Sequence, residues 1–154
     1  MRKIRAGALA LLFTLVLGVS QAGTASAAKE TQVTGDGTVV LRGKTYNFNI
    51  AGATGGKGGF TVFDLADRKN RVTAGKTTCF FQIDANTIAI VSAPSKKTDP
   101  MFQDPYLVII AYDSPYSAPD RIYIADTTSS ACPPAIPDPL TLTPITTGNI
   151  TVSP

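Results

Sequence analysis

The chain has no histidine and no tryptophan, and only two cysteines in 154 residues. Without histidine, Ser-His-Asp and Cys-His nucleophilic machinery is excluded, and so are histidine-based metal centres. Two thiols with no imidazole cannot complete a zinc site. The absence of tryptophan removes the commonest flat platform for sugar stacking. Long apolar runs are also scarce. The longest, Ala6 to Val19, has 14 residues, short of the roughly 20 that a membrane-crossing helix requires.

That run lies between a basic start, Arg2, Lys3 and Arg5, and a small-residue site, Ala25-Ser26-Ala27. This is the pattern of a cleaved export leader over residues 1–28, and it places the working protein outside the cytoplasm, secreted or at the cell surface. No cysteine follows the run to accept a lipid. The sequence closes on Thr151-Val152-Ser153-Pro154 without a hydrophobic tail or basic cluster, so no membrane insertion is expected after cleavage. Removing the leader also removes the excess of positive charge. The 14 basic residues fall to 11, against 11 acidic ones. Nothing then favours nucleic acid, and Lys96-Lys97, Arg68-Lys69 and Arg71 read as solvated turn charges.

About 126 residues remain, enough for one domain with a core of its own. In an oxidising compartment, Cys79 and Cys132 read as a disulfide. Closing a loop of about 54 residues, it is worth roughly 4 kcal/mol in the chain-entropy model.

Residues 29–37 are polar and rich in Gly and Thr, and read as a loose arm. A domain over 38–154 follows, with its first ordered stretch at Thr38 to Ile50. Tyr46, Phe48 and Ile50 alternate there with Thr45, Asn47 and Asn49, which puts aromatic and aliphatic groups on one face and amides on the other. Gly58 and Gly59 lead into Phe60 to Leu65, a strand rather than a helix, so they mark a hairpin and not a phosphate loop. Thr77 to Asp84 and Thr87 to Ser92 flank a short polar turn. Pro94 to Pro105 holds three prolines and reads as a long surface loop, with Phe102 folding back over a sheet edge or presenting an exposed contact with Met101. Tyr106 to Tyr112 is almost continuously apolar, as in a strand covered on both faces. Arg121 to Ala125, Leu140 to Thr143 and Gly148 to Val152 complete the set, with a proline-stiffened excursion from Cys132 to Pro139. No stretch beyond the leader sustains helical periodicity. The expected fold is all-β: a β-sandwich of about seven or eight short strands, favoured by the long proline segments, with a small barrel as the alternative.

The run Tyr46-Asn47-Phe48-Asn49-Ile50, then Gly59-Phe60-Thr61-Val62-Phe63-Asp64, Ala111-Tyr112-Asp113 with Pro119-Asp120-Arg121-Ile122-Tyr123-Ile124, and the closing Gly148-Asn149-Ile150-Thr151-Val152 resemble the post-COAP type of small β-rich module. Such modules are appended to large secreted and surface proteins of bacteria. The resemblance spans most of residues 36 to 152, departs at the Cys132 to Pro139 insertion, and implies an accessory role with no chemistry attached.

Three functional classes fit these residues. The first is an exported, non-catalytic β-domain acting on an extracellular or cell-wall partner, with no cofactor. The second is a glycan- or small-ligand-binding module built on Tyr112, Tyr116 and Tyr123 around the Asp113 to Asp120 turn. The third is a hydrolase using a carboxylate pair drawn from Asp64, Asp67, Asp84, Asp113, Asp120 and Asp126, which needs two carboxyls roughly 5 to 9 Å apart. Asp113 and Asp120 are also the candidates for a calcium ion, because extracellular β-domains gather oxygen ligands at strand turns; no other metal site is expected.

Overall fold

The computed structural model describes residues 30–133 and 141–153. The expected leader, residues 134–139 of the proline excursion and the first residue of the expected 140–143 strand lie outside the described residues. The described chain forms eight strands: β1 (Gln32–Leu41), β2 (Lys44–Ala53), β3 (Lys57–Asp64), β4 (Arg71–Asp84), β5 (Thr87–Lys97), β6 (Tyr106–Tyr112), β7 (Arg121–Thr127) and β8 (Thr143–Ser153). Each pairs antiparallel with the next, and β8 returns to pair with β1. The result is a closed up-and-down barrel. The all-β class stands as read from the sequence, and the arrangement is the small barrel rather than the favoured sandwich. The reason is long-range register, with Val33 opposite Val152 and Gly35 opposite Ile150. That pairing leaves β1 with no free edge.

Alternation fills the barrel. Tyr46, Phe48 and Ile50 of β2 point inward with Phe60 and Val62 of β3, Ile88 and Ile90 of β5, and Leu107 and Ile109 of β6, all buried. Phe102 plugs one end, its ring edge-on to Tyr46 with centroids 6.2 Å apart. This is the folded-back reading of that residue. Eight strands enclose a space just wide enough to be filled by side chains.

β6 carries apolar residues on both faces because both are covered. Leu107, Ile109 and Ala111 face the interior, while Val108 and Ile110 join Ala89, Val91, Cys79 and Leu142 in a second cluster on the outside of the wall. Leu142 belongs to the connection between β7 and β8, and Cys132 at its other end is bonded to Cys79, with Cα atoms 5.3 Å apart. The disulfide thus fastens this connection to the outer wall.

Three local expectations are corrected. The arm of residues 29–37 is instead largely strand, since β1 begins at Gln32. Its glycines are packing residues: a Cβ on Gly37 would lie 2.0 Å from the Thr147 carbonyl oxygen of β8. The proline loop starts later than Pro94, which lies within β5 opposite Ala74, where the register shifts. A bulge tolerates a residue without an N–H, so the proline does not end the strand. Finally, Thr141 and Leu142, expected within a strand of their own, precede β8, which begins at Thr143 and contains Gly148 to Val152. Arg42 and Gly43, both at positive φ, make the two-residue β1–β2 turn.

Candidate functional site

The closing seam positions the most informative side chains. β7 and β8 share only two register pairs, Arg121 with Pro144 and Ile122 with Thr143. Beyond them β8 stays paired with β1 but has no strand partner on its β7 side, so the N–H groups on that side need other acceptors. Carboxylates supply them. Asp120, only 8% exposed, accepts Ser114 N–H on Oδ1 at 2.8 Å and Ile150 N–H on Oδ2 at 2.7 Å. Asp113 accepts Val152 N–H at 2.9 Å, and the Asp120 carbonyl takes Ile145 N–H at 2.9 Å. The two calcium candidates therefore act as a clamp that completes the wall.

The other aspartates have similar local partners. Asp64 accepts Ala66 N–H and the Lys44 ammonium at 3.2 Å. Asp67 accepts Lys69 N–H. Asp84 accepts Asn86 N–H and the Thr87 hydroxyl. Asp126 takes the N–H groups of Gln103 and Asp104. Backbone N–H donors, from Ala66 and from Gln103 respectively, hold Asp64 and Asp126 below the usual carboxylate range. A general acid needs the opposite shift.

At the plugged end, Tyr46 is buried with its hydroxyl directed at Met101 Sδ, 3.6 Å away. Burial first, and the nearby Asp99 carboxylate second, push this phenol far above its ordinary range. Asp99 itself is buried and accepts Met101 N–H at 2.9 Å. Lys97, one of the solvated-turn readings, donates to the carbonyls of Gln103 and Asp104 and so ties down the same loop.

The three tyrosines are not brought to one platform. Tyr116 projects from the β6–β7 loop at 83% exposure. Tyr112 is half-buried against the outer apolar cluster, and Tyr123, 39% exposed, lines a separate concavity with Val40, Leu41 and Met101. Only Tyr116 borders the cleft over the seam, about 280 Å³, together with Asp113, Asp120, Thr147 and Asn149.

A feature that sequence reasoning missed adjoins that cleft. Asn149 lines it and also lines a second concavity of about 360 Å³ with Thr34, Asp36, Asn49 and Thr151, on the outer face of β8, β1 and β2. Register aligns Asn149, Asp36, Asn49 and Thr61 in one row across four strands, and Thr147, Thr38 and Asn47 in the next. Thr38 and Thr147 share a hydrogen bond at 2.8 Å, and Asn149 Nδ2 donates to Thr151 Oγ1 at 3.1 Å. The available signal was the polar half of each alternation, Thr34-x-Asp36-x-Thr38, Asn47-x-Asn49 and Thr147-x-Asn149-x-Thr151. Only the register shows that they form rows.

No family model matches the chain, and no curated protein or solved structure does either.

Proposed function

We propose that this chain is an exported, non-catalytic β-barrel domain that works by binding an extracellular or cell-envelope partner through its outer surface. The observation that carries this reading is the filled interior. With aromatic and aliphatic side chains from all eight strands packed inside and Phe102 over one end, recognition falls to the outer wall and the loops. The six aspartates considered for hydrolysis each accept a backbone N–H, which supports a structural use of those carboxylates over a catalytic one. A disulfide on the outer wall suits an oxidising compartment.

The test has two parts. Expression in a host with an export pathway, followed by intact-mass measurement, should yield a product that has lost residues 1–28. That product should then be retained on insoluble envelope material or on polymers from the culture medium. Recovery of full-length protein from the cytosol, or passage through every such matrix without retention, would overturn the reading.

A further inference from the structure

Resting on that surface-binding reading, we infer that the ligand is an uncharged glycan lying across β8, β1 and β2, with one sugar ring stacked on Tyr116. Four observations converge on this strip. The two concavities adjoin at Asn149, which lines both, one beside the β6–β7 loop and the other on the sheet. Its rim holds the most exposed large hydrophobic side chain described, Tyr116, which gains little from folding at 83% exposure and is a stacking surface in waiting.

The lining is dense in short amide and hydroxyl groups. Thr34 and Asn49 each offer a donor and an acceptor, the Thr147 and Thr151 hydroxyls keep capacity beyond their bonds to Thr38 and Asn149, and Asn149 offers its Oδ1 as an acceptor. They repeat at the strand spacing, so the row from β8 to β3 extends about 14 Å, the scale of a short oligosaccharide rather than a single small molecule.

The last observation is charge. Among the described residues neither concavity is lined by a lysine or arginine, and the charged residues that do line them, Asp36, Asp113 and Asp120, are all acidic. A phosphate- or carboxylate-bearing polymer would be repelled. A neutral polyhydroxyl chain meets matching hydrogen-bonding groups at no electrostatic cost. Asn149 is also held in place before binding, since its Nδ2 bonds both Ile150 O and Thr151 Oγ1 at 3.1 Å. That lowers the ordering cost of recognition.

The experiment is affinity electrophoresis of the leader-free protein in gels containing soluble neutral polymers (hydroxyethyl cellulose, laminarin, glucomannan or dextran), with polygalacturonate as the anionic contrast. At least one neutral polymer should retard the protein, and polygalacturonate should not. Tyr116→Ala and Asn49→Ala, on opposite ends of the strip, should each weaken that binding about ten-fold. Phe81→Ala, on the outer wall away from the strip and 50% exposed, should leave it unchanged. Retention of the anionic polymer alone, or of a neutral polymer with equal strength by all variants, would overturn the glycan assignment. If envelope material is retained while no neutral polymer binds, the surface-binding reading survives and this inference fails. If nothing is retained anywhere, both fail. Thermal melts of each variant exclude unfolding as the cause, since all three positions are exposed.

Discussion

Replacing Asp120 by alanine tests how the barrel is closed. Its two oxygens each accept one backbone N–H, from Ser114 and Ile150, at 2.8 and 2.7 Å in a site only 8% exposed. A hydrogen bond to a charged group contributes about 1.5–3 kcal/mol, and an orphaned buried donor adds a desolvation cost. Removing the buried charge relieves part of this, so the net loss expected is about 3 kcal/mol. For a domain of this size that lowers the Tm by about 10 °C. Asp113→Ala, which frees only Val152 N–H from a half-exposed partner, should cost about 1 kcal/mol. Asp120→Asn should fall between the two, because its amide keeps one acceptor and presents N–H to the other donor. Urea denaturation gives the free energies, and amide exchange gives the location, with Ile150 N–H losing protection first in Asp120→Ala. A Tm within about 2 °C of the parent, together with a protected Ile150 amide, would refute the clamp.

Gly148 sits at φ +96 opposite Gly37, and a Cβ there would lie 1.9 Å from the Asp36 carbonyl oxygen. Gly148→Ala should therefore cost about 3 kcal/mol by denaturant titration, whereas the same change at Gly43, where a Cβ meets nothing within 4 Å, should cost only the strain of its positive φ. Cys132→Ser removes the constraint on a 53-residue separation and should cost about 4 kcal/mol while uncovering Val91, Val108 and Ile110. Near-native far-UV dichroism with a rise in hydrophobic-dye fluorescence is the expected signature, and unchanged melting and dye binding would contradict it. The pH profile has a sign at each end. Asp64 and Asp126 are held low, so their contribution is present above about pH 4 and is lost as pH falls below it. Tyr46 is held high, so its contribution is complete below about pH 10 and is lost as pH rises beyond that toward its folded value. Stability by denaturant titration should plateau between these limits, and Tyr46→Phe should abolish the alkaline fall but not the acid one.

Much of the wall was legible in single strands. The alternation of Tyr46, Phe48 and Ile50 against Asn47 and Asn49 predicted which face of β2 is buried, and the unbroken run at 107–111 predicted a strand covered twice. These signals are local, because a period of two is a property of one segment. The errors share a different origin. Gly35 and Gly37 looked like an unstructured arm because their purpose appears only when β8 is laid beside them, more than a hundred residues later. Pro94 looked like a terminator because the bulge that admits it involves Ala74 and Lys76 on another strand. The choice of sandwich over barrel failed in the same manner. Whether a sheet closes depends on pairing between the first and last strands, which no window of sequence contains. The candidate site follows this rule: Tyr112, Tyr116 and Tyr123 read as one patch, but Tyr112 and Tyr123 lie elsewhere, and the residues that share a cleft with Tyr116 come from its own loop and from β8.

The outer wall divides into two chemically distinct halves. Over β5 and β6 the outward residues are mostly apolar, with Ala89, Val91, Val108 and Ile110 buried together with Cys79 and Leu142. Over β8, β1 and β2 the outward residues are hydroxyls and amides, left uncovered. If the chain needed only solubility, charged side chains would serve the open half better, since they resist edge and face association more strongly. Instead that half carries Thr34, Thr38, Asn47, Asn49, Thr147, Asn149 and Thr151 around one carboxylate, Asp36. A near-neutral, hydrogen-bonding surface is a poor repellent and a good partner for another neutral, hydrogen-bonding surface. The Asp120 clamp lies at the β7–β8 border of this half, so the rows stay in register while the β6–β7 loop carries Tyr116 at their end.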